Sequence, residues 1–174
     1  RTYTVDFLQN VAGGPPVVYL NVPSKEMKAI TQKLLEDGIP VWMGCDVGKE
    51  MDRKRGLWDA NLYDVEGLYG VSYGMDKADR LRHNQTMMTH AMLFTGVDMD
   101  KGGKPRKWRV ENSWGTKRGD KGDDIMTDKW FDEYNYEVVV HKDCISEELL
   151  DLFLNEEAIH LDPWDPMGAL ANSI

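Results

Sequence analysis

An α+β fold built on antiparallel strands is predicted by three observations. Residues 25–37 carry apolar side chains at helical spacing between a cap and a stop. Four short apolar runs (40–47, 87–97, 107–112 and 134–141) have the period or the length of strands. Two of those runs flank a Gly-rich polar loop, the mark of a hairpin. At 174 residues, 41% hydrophobic and 29% charged, the chain can bury a substantial single-domain core and lacks the composition of a disordered segment.

The elements follow in order. Gly13-Gly14-Pro15-Pro16 is a loop, because proline cannot donate to a ladder and glycine relaxes the backbone. Ser24, after Pro23, is a good N-cap; Met27, Ile30, Leu34 and Leu35 then repeat at helical spacing until Gly38 and Pro40 end the segment. Val41, Met43, Cys45 and Val47 alternate in a strand over 40–47. Residues 50–85, rich in Gly, Asp, Asn and Tyr, read as irregular loops with one short helix near 76–82. Ser146 caps a short helix over 147–154. Residues 161–168, with Pro163 and Pro166, cannot be helical and are expected to lie extended. The domain division expected is a β-rich part over 1–141, followed by an acidic helix and C-terminal tail over 142–174.

Composition excludes several functions. The net charge is −9, and residues 141–174 hold eight acids against Lys142 alone, a net of −7 that leaves −2 on the rest. Nucleic acid is therefore not an expected partner. The acidic stretch reads either as a solvated helix face or as a surface that docks on a basic partner. No run approaches the roughly 20 apolar residues of a membrane span, and no signal peptide opens the sequence. Cys45 and Cys144 are too few for a disulfide scaffold, which points to a reducing compartment. The sequon Asn84-Gln85-Thr86 is then a chance match. The chain opens on Arg1 rather than Met, as expected of a piece of a longer protein.

Chemistry concentrates between Met87 and Gly122. Strands Met88–Thr95 and Trp108–Asn112 enclose the loop Asp98–Lys104. A turn centred on Lys101 places His90 opposite Asn112, where an imidazole and an amide can hydrogen-bond. Facing His and Asn form half of a Cys-His-Asn catalytic set: the His takes the thiol proton, and the Asn carbonyl fixes the ring. A neutral Asn suits a thiol, because the thiolate already balances the imidazolium. The competing reading is a core histidine satisfied by a polar neighbour.

The wording around the pair adds to this. Met88-Thr89-His90-Ala91-Met92 and Val110-Glu111-Asn112-Ser113-Trp114-Gly115, with Gly119 and Gly122 beyond, resemble the His and Asn motifs of papain-like cysteine peptidases. Arg118 and Asp123 stand where that family commonly carries aromatic residues. Five further runs resemble the bleomycin hydrolase branch: Gly44–Lys49, Asn61–Asp64, Lys107–Gly115, Tyr136–Val140 and Trp164–Ala171. The resemblance covers essentially the whole chain. It implies a papain-like fold, of which this is the barrel-like antiparallel β half with flanking helices and an extended C-terminal tail. It implies catalytic roles for His90 and Asn112, shielding of their hydrogen bond by Trp114, and a tail (Gly168, Ala169, Leu170, Ala171) lying in the cleft. It further implies a cytoplasmic homohexameric aminopeptidase acting on peptides with free N-termini, with deamidation of bleomycin as a side reaction. Asn172-Ser173-Ile174 follow that tail and would move the terminal carboxylate by up to ~10 Å if extended.

The Gln-x-Gly-x-Cys-x-Trp segment that carries the family's nucleophile does not occur in these 174 residues. Cys45 precedes His90 and Asn112 in the right chain order, but it falls within a strand and beside Asp46, which disfavours a thiolate. The nucleophile is therefore expected from the missing N-terminal part of the same protein. Otherwise the segment is a non-catalytic assembly or peptide-binding module. Gly70-Val71-Ser72-Tyr73-Gly74 fits the G-x-S-x-G elbow of a serine hydrolase, without the strand that should precede it. Asp98-x-Asp100-x-Gly102-Gly103 has the flavour of a calcium loop, but Arg109 stands where an EF-hand needs Glu. His141 and Cys144 make only two ligands. No metal or cofactor is expected.

Overall fold

The computed structural model describes residues 1–9 and 11–168. Its strands are β1 (Thr2–Val5), β2 (Tyr19–Leu20), β3 (Val41–Cys45), β4 (Met51–Asp52), β5 (Leu57–Trp58), β6 (His90–Met99), β7 (Pro105–Glu111), β8 (Asp123–Thr127), β9 (Asn135–Val139) and β10 (Ile159–Leu161). Its helices are α1 (Ser24–Glu36), α2 (Val65–Tyr69), α3 (Lys77–Arg82), α4 (Asp128–Tyr134) and α5 (Glu147–Asn155), with a 3-10 turn at Lys142–Cys144. Backbone contacts divide the chain into two units, Thr31–Val139 and Arg1–Ile30 together with the chain from Val140 onward.

The larger unit is a seven-stranded sheet in the order β4-β5-β8-β7-β6-β3-β9. All its pairings are antiparallel except the short parallel contact of β5 with β8. Period-2 alternation sends Met92 and Phe94 of β6, Trp108 and Val110 of β7 and Met126 of β8 inward, all buried. Against them α4 lays Trp130 and Phe131. Phe94, Trp108 and Phe131 form a ring cluster with centroids 5.0–5.5 Å apart. Burying each such side chain stabilises the fold by about 1.5–3 kcal/mol. The indole N–H groups taken inside are not orphaned: Trp58 donates to the Val47 carbonyl at 3.0 Å and Trp130 to that of Lys49 at 2.9 Å.

The hairpin turn explains the acid-rich loop. Asp100 Oδ1 accepts the backbone N–H groups of Gly102 (2.8 Å) and Lys104 (2.9 Å), and Gly103 takes a positive φ of 79°. Asp98 pairs with Arg106. These acids serve the turn, and no cluster of three or more metal-ligating side chains occurs among the described residues.

In the smaller unit β1 pairs antiparallel with β2 and parallel with β10. Ser146 caps α5 through its hydroxyl, which accepts the Leu149 N–H at 3.3 Å. Beyond Leu161 the backbone does not run extended, as the prolines suggested, but folds through two successive turns. The Asp165 N–H reaches the Asp162 carbonyl at 2.9 Å, and the Gly168 N–H reaches that of Asp165 at 2.7 Å. Each turn has Asp at its first position and Pro at its second, a pairing suited to type I geometry. Ala169, Leu170 and Ala171 lie outside the described residues.

Candidate active site

His90 opens β6 and Asn112 follows the last residue of β7, so antiparallel pairing brings the two together. The register is not the one expected. Leu93 faces Glu111 and Phe94 faces Val110, with a bulge at Thr95 and another irregularity after Asp98. Continuing the Leu93–Glu111 register puts Met92, not His90, opposite Asn112, so the catalytic candidates are diagonal neighbours. The slip is two residues, which leaves both side chains on the same face of the sheet. Diagonal Cα atoms lie about 7–8 Å apart, a span that an imidazole and an amide can bridge. His90 Nε2 and Asn112 Oδ1 are 3.0 Å apart.

The direction of this bond follows from its neighbours. Asn112 Oδ1 also accepts the Ser113 N–H at 2.8 Å, so it is the carbonyl oxygen and Nε2 must donate. In the neutral ring Nδ1 is then unprotonated, a free base. Trp114 stacks on the imidazole, with centroids 4.8 Å apart and planes 27° apart, and covers one face of it. Beside His90 opens a cleft of about 310 Å³, bordered among others by Trp42, Gly44, Met88, Glu137 and Val139. Burial pushes the Glu137 carboxyl above its ordinary range.

Behind Asn112 lies a group that sequence reasoning missed. Asp124, fully buried on β8, accepts the Asn112 amide N–H and the Arg118 guanidinium on the same oxygen, Oδ2, at 3.4 Å each. Burial raises the Asp124 carboxyl while Arg118 and Asn112 pull it back down. Arg118 lies over Trp114 at 4.2 Å and over Trp58 at 5.8 Å, so its planar cation fills a site suited to an aromatic ring. Arg118 was visible in the sequence as a departure from the family pattern. Asp124 was not, because an acid at an inward strand position reads as loop.

The other candidates fall into place. Cys45 pairs in register with His90 across the β3–β6 ladder but is fully buried; burial first, and Asp46 second, push its thiol far up. Ser72 follows α2 and its left-handed cap Gly70, with neither a strand before it nor a helix directly after, so the hydrolase elbow is not formed. His141 and Cys144 stand at the short 3-10 turn, where His141 pairs with Asp143.

The site is thus an imidazole hydrogen-bonded to an asparagine on a mostly antiparallel, barrel-like sheet, and comparison with known proteins shows which family carries it. The model of the Peptidase C1-like family matches residues 1–168, and the chain belongs to that family. Aminopeptidase C of Streptococcus thermophilus is 44% identical over 99% of this chain, and human bleomycin hydrolase is 50% identical over 98%. The crystal structure of PepW from Lactobacillus rhamnosis HN001 superposes with a TM-score of 0.93 at 46% identity over 97% of the chain. The chain spans 38% of the length of each of these proteins. The fold is accordingly the papain-like α+β fold, represented here by its β half.

Proposed function

We propose that this chain is the C-terminal part of a cysteine aminopeptidase of the bleomycin hydrolase type, supplying the general base and the amide that orients it. The observation that carries this reading is the 3.0 Å contact of His90 Nε2 with Asn112 Oδ1, which leaves Nδ1 free to face a thiol. That thiol comes from polypeptide outside these residues. Cys45 is unsuited to the role, since its surroundings hold it protonated.

In the reaction, His90 Nδ1 takes the proton of the incoming cysteine, and the thiolate attacks the scissile carbonyl. The imidazolium returns the proton to the leaving amine, and water then cleaves the thioester with His90 again as base. Asn112 holds the ring in one orientation throughout, with the proton on Nε2 whenever the ring is neutral, and Trp114 keeps water from one face of the ring. The same steps hydrolyse a peptide bond at a free N-terminus or the amide of bleomycin. Assembly as a cytoplasmic homohexamer goes with this reading, and two free cysteines suit a reducing compartment.

The test is a chimera in which this chain replaces the matching C-terminal 38% of human bleomycin hydrolase. Hydrolysis of an aminoacyl fluorogenic substrate is expected, with a fall of about 10³-fold or more in His90→Ala, as removal of a catalytic base entails. A folded chimera without activity would favour the other reading, a peptide-binding or assembly module.

A further inference from the structure

We propose that Arg118 and Asp124 are positioning residues that hold His90 from two sides, Asp124 by fixing which end of the Asn112 amide faces the ring and Arg118 by backing Trp114 against it. This rests on the reading of His90 and Asn112 as the catalytic pair for its consequence in the reaction, but not for the geometry.

An asparagine side chain turned over end for end has almost the same shape, so packing alone does not choose its orientation. The hydrogen-bond partners must choose. Around Asn112 the oxygen meets two donors, His90 Nε2 at 3.0 Å and the Ser113 N–H at 2.8 Å. The nitrogen meets one acceptor, Asp124 Oδ2 at 3.4 Å. Turning the amide over would set its oxygen against a buried carboxylate and its N–H groups against the Ser113 N–H. With an N–H facing the ring, His90 Nε2 would have to accept, and the proton would move to Nδ1, where a base is required.

The place for that carboxylate is built into the backbone. A Cβ on Gly56 would collide with Asp124 Oδ1, and one on Gly119 would meet the Asp123 carbonyl oxygen first and Asp124 Oδ1 at 2.7 Å. Both glycines hold positive φ angles, 65° and 54°, which few other residues adopt. Asp124 Oδ1 has no hydrogen-bond partner among the described residues, nor has the buried Arg118 Nε. A pair assembled for stability alone would be expected to close as a fork, with two parallel hydrogen bonds. Here the shared atom is Oδ2, the one that also reaches Asn112. Arg118 completes the arrangement, since the same guanidinium that neutralises Asp124 lies 4.2 Å over Trp114, the indole stacked on His90.

The test compares two double variants that both lack the buried charges. Arg118→Met with Asp124→Leu removes the acceptor for the Asn112 amide; Arg118→Met with Asp124→Asn keeps one. Replacing a buried ion pair by apolar groups is often neutral for folding, and a thermal melt verifies that each variant folds. In the full 174-residue chain, 15N shifts of His90 report the tautomer. The unmodified chain should hold the Nε2–H form; the Leu variant should gain Nδ1–H form and the Asn variant should recover the original. In the chimera, kcat should fall about tenfold in the Leu variant with KM little changed, and recover in part with Asn. A Leu variant that folds and keeps the unmodified tautomer overturns the proposal. Should that variant not fold, the unmodified chain decides: the Asn112 side-chain amide protons must exchange with solvent far more slowly than those of an exposed asparagine, and exchange at the exposed rate overturns it equally. The tautomer needs no nucleophile, so a dead chimera with the expected shifts would refute the peptidase reading and leave this one standing.

Discussion

Cys45 faces His90 across two neighbouring strands, the position in which a sulfur would attract a mechanistic role, yet its surroundings are those of a core residue. It has no exposed surface, and both its burial and the carboxylate of Asp46 oppose ionisation. In the folded chain at pH 7.5, iodoacetamide should label Cys144, which is partly exposed, and leave Cys45 unmodified. Cys45→Ala should keep the activity of the chimera within about twofold and destabilise the fold by about 1 kcal/mol, the cost of a small buried group. Loss of activity with the fold intact would make Cys45 the nucleophile and require a different mechanism. At this scale the sequence was informative for His90 and Asn112, because a strand pair and a motif pointed to the same two residues. It was silent on Asp124. Burying a carboxylate is a local conflict, and only its tertiary partners, the Asn112 amide and the Arg118 guanidinium, make it tolerable.

Among elements, the legible ones were those whose ends carry local chemistry. Residues 25–37 and 147–154 were expected as helices and appear as α1 (Ser24–Glu36) and α5 (Glu147–Asn155); β3, β6, β7 and β9 fall within two or three residues of their expected bounds. The strand–helix corner of β8 and α4 was missed, since Asp123-Asp124 hides the alternation of β8 and α4 is only seven residues long. A signal was present all the same. Thr127 caps α4, its hydroxyl accepting the Trp130 N–H at 3.3 Å, and Asp128 occupies the first turn, where a negative charge is favoured. The register of β6 on β7 was misjudged at the turn: Met99 faces Pro105, which centres the loop on Gly102 rather than Lys101, and the irregularities at Thr95 and after Asp98 cancel one another. Since α4 carries Trp130 and Phe131 into the core, its cap matters beyond the helix. Thr127→Ala should lower unfolding free energy by about 1 kcal/mol, and Thr127→Ser should restore most of it; urea unfolding measures both. An unchanged midpoint in the Ala variant would mean that the aromatic packing alone sets the helix start.

For the molecule as a whole, charge and burial act on stability in the same direction. Glu50, Asp124 and Glu137 all have carboxyls raised by burial. From their ordinary values, 4.5 for Glu and 3.8 for Asp, up to the raised ones, the folded chain binds more protons than the unfolded chain. Unfolding free energy therefore falls as pH rises through that window. The net charge of −9 at pH 7 adds self-repulsion, which shrinks as pH approaches the isoelectric point of about 4.9. An opposing group is Asp100, whose carboxyl is lowered by the backbone N–H groups of Lys104 and Gly102; its contribution is lost only as pH falls through and below the ordinary aspartate range. The melting temperature should thus be highest on the acid side of neutrality and decline as pH rises from the ordinary carboxylate range through the raised values of these three groups. Scanning calorimetry at low protein concentration measures the profile and avoids association near the isoelectric point. Glu137→Gln, which leaves the His90–Asn112 contact in place, should flatten the decline by removing one of the three carboxyls. A melting temperature that rises from pH 5.5 to 7.5, or a slope the same in Glu137→Gln as in the unmodified chain, would mean that water reaches these groups and that burial does not set their ionisation.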